Sequence, residues 1–143
     1  MLASAKYGLL YLTANDWNLI ADKGARMNFK RGEKIVRRGE KSDGIHLLLE
    51  GTATVELPAQ VSFPAIGPGE VCGELSFLDE LPATANVVAD GFVETLFLDR
   101  PTLASLFELF PHLGSRFYHS LASNLSHRLR GLIRGSEATK AGR

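Results

Sequence analysis

The sequence has one cysteine, no net charge and no long apolar run, and each of these shortages excludes a class of protein. Cys72 cannot form a disulfide within the chain or a cysteine-based metal site. Sixteen basic and sixteen acidic residues give a net charge of zero, whereas dedicated nucleic-acid binders gain most of their affinity by neutralising phosphates. No run of about 18 apolar residues predicts a membrane helix, and the first residues lack the basic and apolar segments of a signal peptide. We therefore expect one cytoplasmic domain that binds neither membrane nor nucleic acid.

Along the chain the sequence pattern predicts a helix, then a β-rich region, then further helices. Thr13 and Asp16 predict the start of a helix and Gly24 its end. Between residues 28 and 98, short apolar runs are separated by frequent glycines, a pattern typical of antiparallel strands in a sandwich or barrel. A tight turn is predicted at Pro58-Ala59. The predicted strands are Lys34–Arg37, Ile45–Leu49, Thr52–Glu56, Val61–Ala65, Ala85–Val88 and Val93–Leu98.

Two helices are predicted after the strands. Pro101 suits the first position of one helix, and Pro111 separates it from a longer second helix. The apolar residues of the second helix recur on one stripe, namely Phe110, Leu113, Phe117, Leu121, Leu125, Leu129 and Leu132. Because the stripe extends past any plausible contact with a barrel, we favour a dimer seam or a partner helix over packing on the barrel alone. Residues 135–143 contain little apolar surface and are predicted to form a flexible tail.

Three segments carry a resemblance to a known family. They are FKRGEKIVRRGEKSDGIHLLLEG (Phe29–Gly51), IGPGEVCGELSFL (Ile66–Leu78) and LPATANVVA (Leu81–Ala89). With the order of elements above, residues 12–133 resemble the cyclic-nucleotide-binding domain of catabolite activator proteins and protein kinase A regulatory subunits. The resemblance implies a mainly β fold with flanking helices, an antiparallel jelly-roll β-barrel of the cupin-like double-stranded β-helix type. One helix would precede the barrel and two would follow it.

The resemblance also implies the domain limits. Residues 1–134 would form the cyclic-nucleotide-binding-like domain, with the N-terminal helix in 12–27, the barrel in 28–98 and the C-terminal helices in 99–134.

In the family the second segment is the phosphate-binding cassette. The resemblance assigns the tight turn to Gly73, the acceptor for a ribose hydroxyl to Glu74, and helix-start amides for the phosphate to Leu75 and Ser76. The family's phosphate-binding arginine falls on Ala83. The full set of predicted ligand-binding residues is Cys72, Gly73, Glu74, Leu75, Ser76, Ala83, Thr84 and Ala85.

Several of these residues have simpler interpretations. Glu74 could instead cap the loop's own amides, and the Ser76 hydroxyl is more often a local helix cap than a ligand contact. Thr84 suits an ordinary strand position, and Cys72 is expected to be a small buried hydrophobe. His46 is expected to pack in the strand that contains it.

Alanine at position 83 decides what binding is expected. Loss of one member of a buried charge pair costs about 2–5 kcal/mol, so cAMP or cGMP should bind weakly at most. Arg128 and Arg130 are the only basic candidates to replace the arginine. Two interpretations stay open: a sensor that binds a cyclic nucleotide or a related small anionic ligand and signals through its C-terminal helices, or a degenerate domain that serves in dimerisation or docking. The expected partner is a second copy, joined through the last helix, or another domain or protein.

Other chemistries have no sequence support. No nucleophile or Walker motif is present, so we expect neither an enzyme nor a resident cofactor or metal. Too few residues follow the long helix for a helix-turn-helix, so this chain alone is not expected to read DNA. One basic cluster is interleaved with Glu33 and Glu40, which favours a solvated face over a docking surface for an acidic partner. It consists of Lys30, Arg31, Lys34, Arg37, Arg38 and Lys41.

Overall fold

The computed structural model describes residues 9–58 and 63–141, with side chains through residue 134. None of the helices in this part of the chain is long and apolar enough to cross a membrane. The elements in chain order are α1 (Ala14–Lys23), β1 (Ala25–Phe29), β2 (Lys34–Val36), β3 (Gly44–Glu50), β4 (Ala53–Glu56), β5 (Val71–Cys72), α2 (Glu74–Asp79), β6 (Asn86–Ala89), β7 (Val93–Asp99), α3 (Arg100–Leu109) and α4 (Pro111–Ala141).

The strands form two antiparallel sheets. One has the strand order β1-β7-β3-β5 and the other β2-β6-β4, to which Ile66 adds a single bridge with Ala53. Strand β3 is buried on both faces: Leu48 packs toward the second sheet, whereas Ile45 and Leu47 pack toward the helices. The molecule therefore has three layers, with helices on one face of the larger sheet and the smaller sheet on the other.

Most predicted strands are confirmed within about two residues, but β1 and β5 were not predicted, and one predicted strand is not found among the described residues. The predicted N-terminal helical segment 12–27 is wrong at its end, because α1 stops at the predicted Gly24 cap and residues 25–27 begin β1. Strand β1 gave no signal because four of its five side chains are exposed, so only pairing with β7 defines it. Residues 63–65 of the predicted strand Val61–Ala65 are not in a strand, and residues 59–62 lie outside the described part.

The long helix differs from prediction in length and in what its stripe contacts. Helix α4 continues to Ala141, so the predicted tail is wrong over residues 135–141, where alanine, glutamate and lysine favour a helix without needing an apolar face. In the first half of the stripe, Phe110 is 42% exposed, whereas Leu113, Phe117 and Leu121 are completely buried within the chain. Leu129 in the second half is 58% exposed. The barrel and helices of one chain thus cover half of the stripe.

A clamp between α1 and α4 fixes the first half of the long helix. The Arg116 guanidinium donates from Nε to Asp16 Oδ2 at 2.6 Å and from Nη2 to Oδ1 at 2.9 Å. Asp16 also completes the capping box with Thr13 that begins α1, and the Tyr11 amide donates to Ser120 Oγ at 3.0 Å. Hydrogen bonding from Arg116 lowers the pKa of the buried Asp16 carboxyl to about 2.

Replacement of Asp16 by asparagine tests the clamp. The asparagine side chain would keep the capping acceptor and lose the charge, so Asp16→Asn should lower the free energy of unfolding at pH 7 by about 2 kcal/mol. Since the folded pKa is about 2 and the usual value is 3.8, this contribution is present above pH 4 and lost as the pH falls toward 2. Urea unfolding across that range measures it. The matched control is Asp22→Asn, whose carboxylate is 76% exposed; equal effects at the two positions would contradict the clamp.

Candidate functional site

A left-handed glycine opens the loop that carries the candidate site. Gly73 has φ 85° and ψ 7° and forms the N-cap of α2, a conformation that residues with a Cβ rarely adopt. The chain turns there from β5 into α2, which places Glu74 and Ser76 on the inner side of the turn, where both are buried. The turn and short helix predicted for this segment are therefore present.

A cavity of about 470 Å³ lies between this turn, the smaller sheet and α4. The structure brings all eight predicted residues to its wall: Cys72, Gly73, Glu74, Leu75, Ser76, Ala83, Thr84 and Ala85. Three leucines of α4, Leu125, Leu129 and Leu132, line it from the other side. The second half of the apolar stripe therefore covers the cavity.

Arg128 of α4 reaches into the cavity and binds the cassette glutamate. Its Nη1 donates to Glu74 Oε1 at 2.6 Å, and its Nη2 donates to the Val71 carbonyl oxygen at 2.9 Å. A second carboxylate oxygen, from Glu70, lies 3.7 Å from Nη2. Only 13% of the Arg128 side chain is exposed, whereas Arg130 points to solvent. Of the two arginines that the sequence left open, Arg128 is the one that faces the cassette.

Burial and Arg128 act in opposite directions on Glu74. Loss of hydration raises the pKa of the Glu74 carboxyl, and the guanidinium beside it partly offsets that rise. Arg128 is the only cationic side chain among the described residues that line the cavity, and it is shared by two carboxylates. The corner of the cavity that Arg128 and Glu74 form, called the polar corner below, consequently has no positive charge left over to bind an anion.

Position 83 is held in place although it has no charge. The Ala83 amide donates to the Glu40 carbonyl oxygen at 2.9 Å, and its own carbonyl accepts from the Gly39 amide at 2.8 Å. The side chain is half-buried and packs with the apolar cluster between the sheets. The backbone of residue 83, the position at which the resemblance expects an arginine, is thus hydrogen-bonded to the turn at residues 37–40. The methyl group of Ala83 faces the cavity.

The remaining predicted residues divide between packing and the cavity. Ser76 is buried, and its Oγ has no hydrogen-bond partner among the described residues, so the favoured interpretation of a local cap is wrong. Cys72 is buried, which raises the pKa of its thiol and agrees with the predicted packing role. His46 is also buried, with Nδ1 3.0 Å from Thr95 Oγ1; burial lowers its pKa to about 4. Thr84 is exposed.

Other sequence hypotheses have simple outcomes in the structure. All six residues of the basic cluster are exposed, as expected of a solvated face. No group of three or more His, Cys, Asp or Glu side chains in the described part of the chain could hold a metal ion. The proximity of Glu70 to Arg128 and the position of the α4 leucines over the cavity were not predicted from the sequence. The spacing of Leu125, Arg128 and Leu129 was a usable signal, since residues three and four apart share one helix face.

Comparison with known proteins places these features in a family. The sequence model described as "Cyclic nucleotide-binding domain" matches residues 26–109, more than half of the chain. The chain is 34% identical over 84 residues to the cAMP-dependent protein kinase type II regulatory subunit of Drosophila melanogaster, covering 56% of this chain and 22% of that protein. It is 29% identical over 130 residues to Cyclic GMP-binding protein C of Dictyostelium discoideum, covering 82% of this chain and 5% of that protein. The chain thus spans about a fifth of the length of one relative and a twentieth of the other.

Solved structures share the fold. A cyclic nucleotide-binding domain from Methylobacillus flagellatus superposes with a TM-score of 0.78 at 23% identity, covering 86% of this chain and 71% of that one. Thermus thermophilus Catabolite Activator Protein gives a TM-score of 0.73 at 24% identity, covering 97% of this chain and 62% of that one. The predicted jelly-roll fold with flanking helices is confirmed, and the chain belongs to the cyclic nucleotide-binding domain family.

Proposed function

We propose that this chain is a non-catalytic regulatory module that holds a small ligand beneath α4 and reports it by moving that helix. The observation that carries the proposal is the Arg128–Glu74 contact, because it joins the cassette directly to the helix that covers it. A ligand group that hydrogen-bonds to Glu74 shares this carboxylate with the Arg128 guanidinium and competes with it. Ligand binding and the position of α4 are therefore coupled.

The part of α4 free to move is its second half. The Asp16–Arg116 clamp holds the helix on α1 as far as about Ser120. One turn later Asn124 is buried, and neither atom of its amide has a partner among the described residues. An unsatisfied buried amide costs about 1–3 kcal/mol, which makes the docked position of this half-helix easier to leave.

Cyclic nucleotides are the ligands that the family suggests, and the expected affinity is low. The relatives' names describe a cAMP-dependent kinase subunit and a cyclic GMP-binding protein. In this chain Ala83 offers a phosphate no charge, and Arg128 is already engaged by Glu74. A cyclic nucleotide or related small anion would have to compete with that contact. We therefore propose that it binds weakly.

A second candidate function is dimerisation or docking without a ligand. The observation in its favour is exposed apolar surface on α4: Ile133 is 51% exposed, and Leu129, at the rim of the cavity one turn earlier, is 58% exposed. Arg128 also fills the polar corner of the cavity from within the chain, as a degenerate site would. The partner in this case is a second copy of the chain or another domain or protein.

The affinity prediction follows from Ala83. Titration calorimetry should show that cAMP and cGMP bind with a Kd of about 100 μM or weaker. Because the Ala83 backbone is fixed at both its amide and its carbonyl, Ala83→Arg should tighten binding at least about tenfold. Adding Glu74→Ala should remove most of that gain. Low-micromolar binding by the unmodified chain would contradict weak binding and would mean that Arg128 serves the phosphate.

If the Arg128–Glu74 contact acts as a latch that holds the second half of α4 over the cavity, removing it should loosen the helix. Arg128→Gln removes the charge that pairs with Glu74, so backbone amides of residues 122–134 should exchange their hydrogens at least about tenfold faster, the equivalent of about 1.4 kcal/mol. Cyclic-nucleotide affinity should rise, because the competitor for Glu74 is gone. Arg130→Gln is the control on the exposed face. Unchanged exchange, or lower affinity, would show that Arg128 is not a latch.

The dimer prediction follows from the exposed residues of α4. Light scattering at about tens of micromolar should show a homodimer, since adjacent exposed apolar side chains favour self-association. Leu129→Glu combined with Ile133→Glu should give folded monomers with the circular-dichroism spectrum of the parent chain, at a lower unfolding midpoint because dimerisation no longer contributes. Leu109→Glu on α3, at a residue 72% exposed, is the control. A monomeric parent chain at these concentrations would contradict the prediction.

A further inference from the structure

The cavity has walls that are mostly apolar. Valines and isoleucine from the sheets, Val55, Ile66 and Val87, face Leu125 and Leu132 from α4 across a volume of about 470 Å³. Cavities of this size typically hold small organic ligands and bury most of their surface. The free energy available here comes chiefly from removing apolar ligand surface from water.

The charged corner of the cavity disfavours a second anion. Arg128 already donates to Glu74 Oε1 at 2.6 Å and to the Val71 carbonyl, and Glu70 Oε2 lies 3.7 Å away. A phosphate brought to this guanidinium would also meet two carboxylates, which repel it. On the other wall, Ala83 presents only a methyl group. A ligand anion therefore gains no unpaired cation in exchange for its lost hydration.

One neutral polar group in the cavity lacks a partner. Ser76 lines the cavity and is 3% exposed, and its Oγ makes no hydrogen bond within the described residues. A hydroxyl can donate or accept, and leaving it unsatisfied when buried is unfavourable. A ligand with a single uncharged donor or acceptor would satisfy this group without disturbing the Arg128 contact.

We infer that the ligand class suited to this cavity is an uncharged molecule with an apolar body and one hydrogen-bonding group, in preference to a phosphate-bearing nucleotide. The inference rests on the proposed function in one respect, since it assigns a ligand to the same cavity. The inferred ligand differs from the cyclic nucleotide of the proposed function. It makes apolar contacts, offers a neutral hydrogen-bonding partner to Ser76 and carries no charge opposite Ala83.

Two fluorescent probes with the same anilinonaphthalene body provide the test. N-phenyl-1-naphthylamine is uncharged, and 8-anilinonaphthalene-1-sulfonate carries one negative charge. The uncharged probe should bind the unmodified chain at least about tenfold more tightly, a difference of about 1.4 kcal/mol. Ala83→Arg should reverse this order by supplying the missing cation. Equal affinities, tighter binding of the sulfonate, or no binding of the uncharged probe would overturn the inference.

A matched pair of variants shows whether the probe occupies the cavity. Ala85→Phe adds a ring at a residue that lines the cavity, and Ala104→Phe adds the same ring at an exposed position of α3. The first should weaken the uncharged probe at least about tenfold and the second should leave it unchanged. Ser76→Ala, which adds no volume, should weaken it about threefold through the lost hydrogen bond. A probe indifferent to both Ala85→Phe and Ser76→Ala is bound elsewhere, which overturns the assignment.

Hydrogen exchange separates this inference from the proposed function. With the uncharged probe at saturation, altered exchange in residues 122–134, in either direction, supports both, because the probe contacts Leu125 and Leu132 of α4 while Arg128 keeps its place. Preference for the uncharged probe without a change in exchange sustains the ligand class and contradicts signalling through α4. Conversely, cAMP that binds more tightly than the uncharged probe and alters exchange overturns the ligand class and sustains the regulatory module.

Discussion

The contact between Arg128 and Glu74 determines how the other parts of the site relate to one another. A buried carboxylate needs a partner because it has lost its hydration, and the only cation that the described cavity wall offers comes from α4. The same contact brings the leucines of that helix over the opening and so creates the cavity. Removing one member of such a pair costs about 3–5 kcal/mol. The same contact therefore affects the charge of the cassette, the shape of the cavity and the position of α4.

In this chain the cation that faces the cassette belongs to α4 and not to position 83. A ligand would therefore affect the charge balance in the opposite way. An arginine at position 83 would sit on the loop before β6 without a partner until a ligand phosphate binds, so the ligand would complete the charge balance. Here the cation is already paired without a ligand, since Arg128 lies between Glu74 and Glu70. A ligand that engages Glu74 would loosen the helix, whereas one that uses the apolar walls and Ser76 could enter beneath it. Under the proposed function, the chemistry of the ligand would thus decide whether α4 is released.

The fold and the cassette were predicted from three segments that resemble a known family, and local signals in the chain agree with that resemblance. The left-handed turn at Gly73 needs glycine, and the alternation in β7 is visible in the residues themselves. Strand β1 escaped prediction because its side chains are largely exposed and its identity comes from pairing with β7. The partner of Arg128 could not be predicted because the rotation of α4 over the sheets is set by the α3–α4 junction and the α1 clamp. The helical stripe was correctly recognised, but only packing shows that one half enters the core and the other covers a cavity.

Helix α4 does not end where the cavity ends. From Arg128 it continues to Ala141, a distance of about 20 Å at 1.5 Å per residue. A rigid rod of that length turns a small rotation at its base into a large displacement at its tip: a tilt of about 10° would move the far end by about 3 Å. Under the proposed function, the exchange of one hydrogen bond at Glu74, an event on the scale of a single side chain, would thereby become a movement that a neighbouring domain or chain could sense.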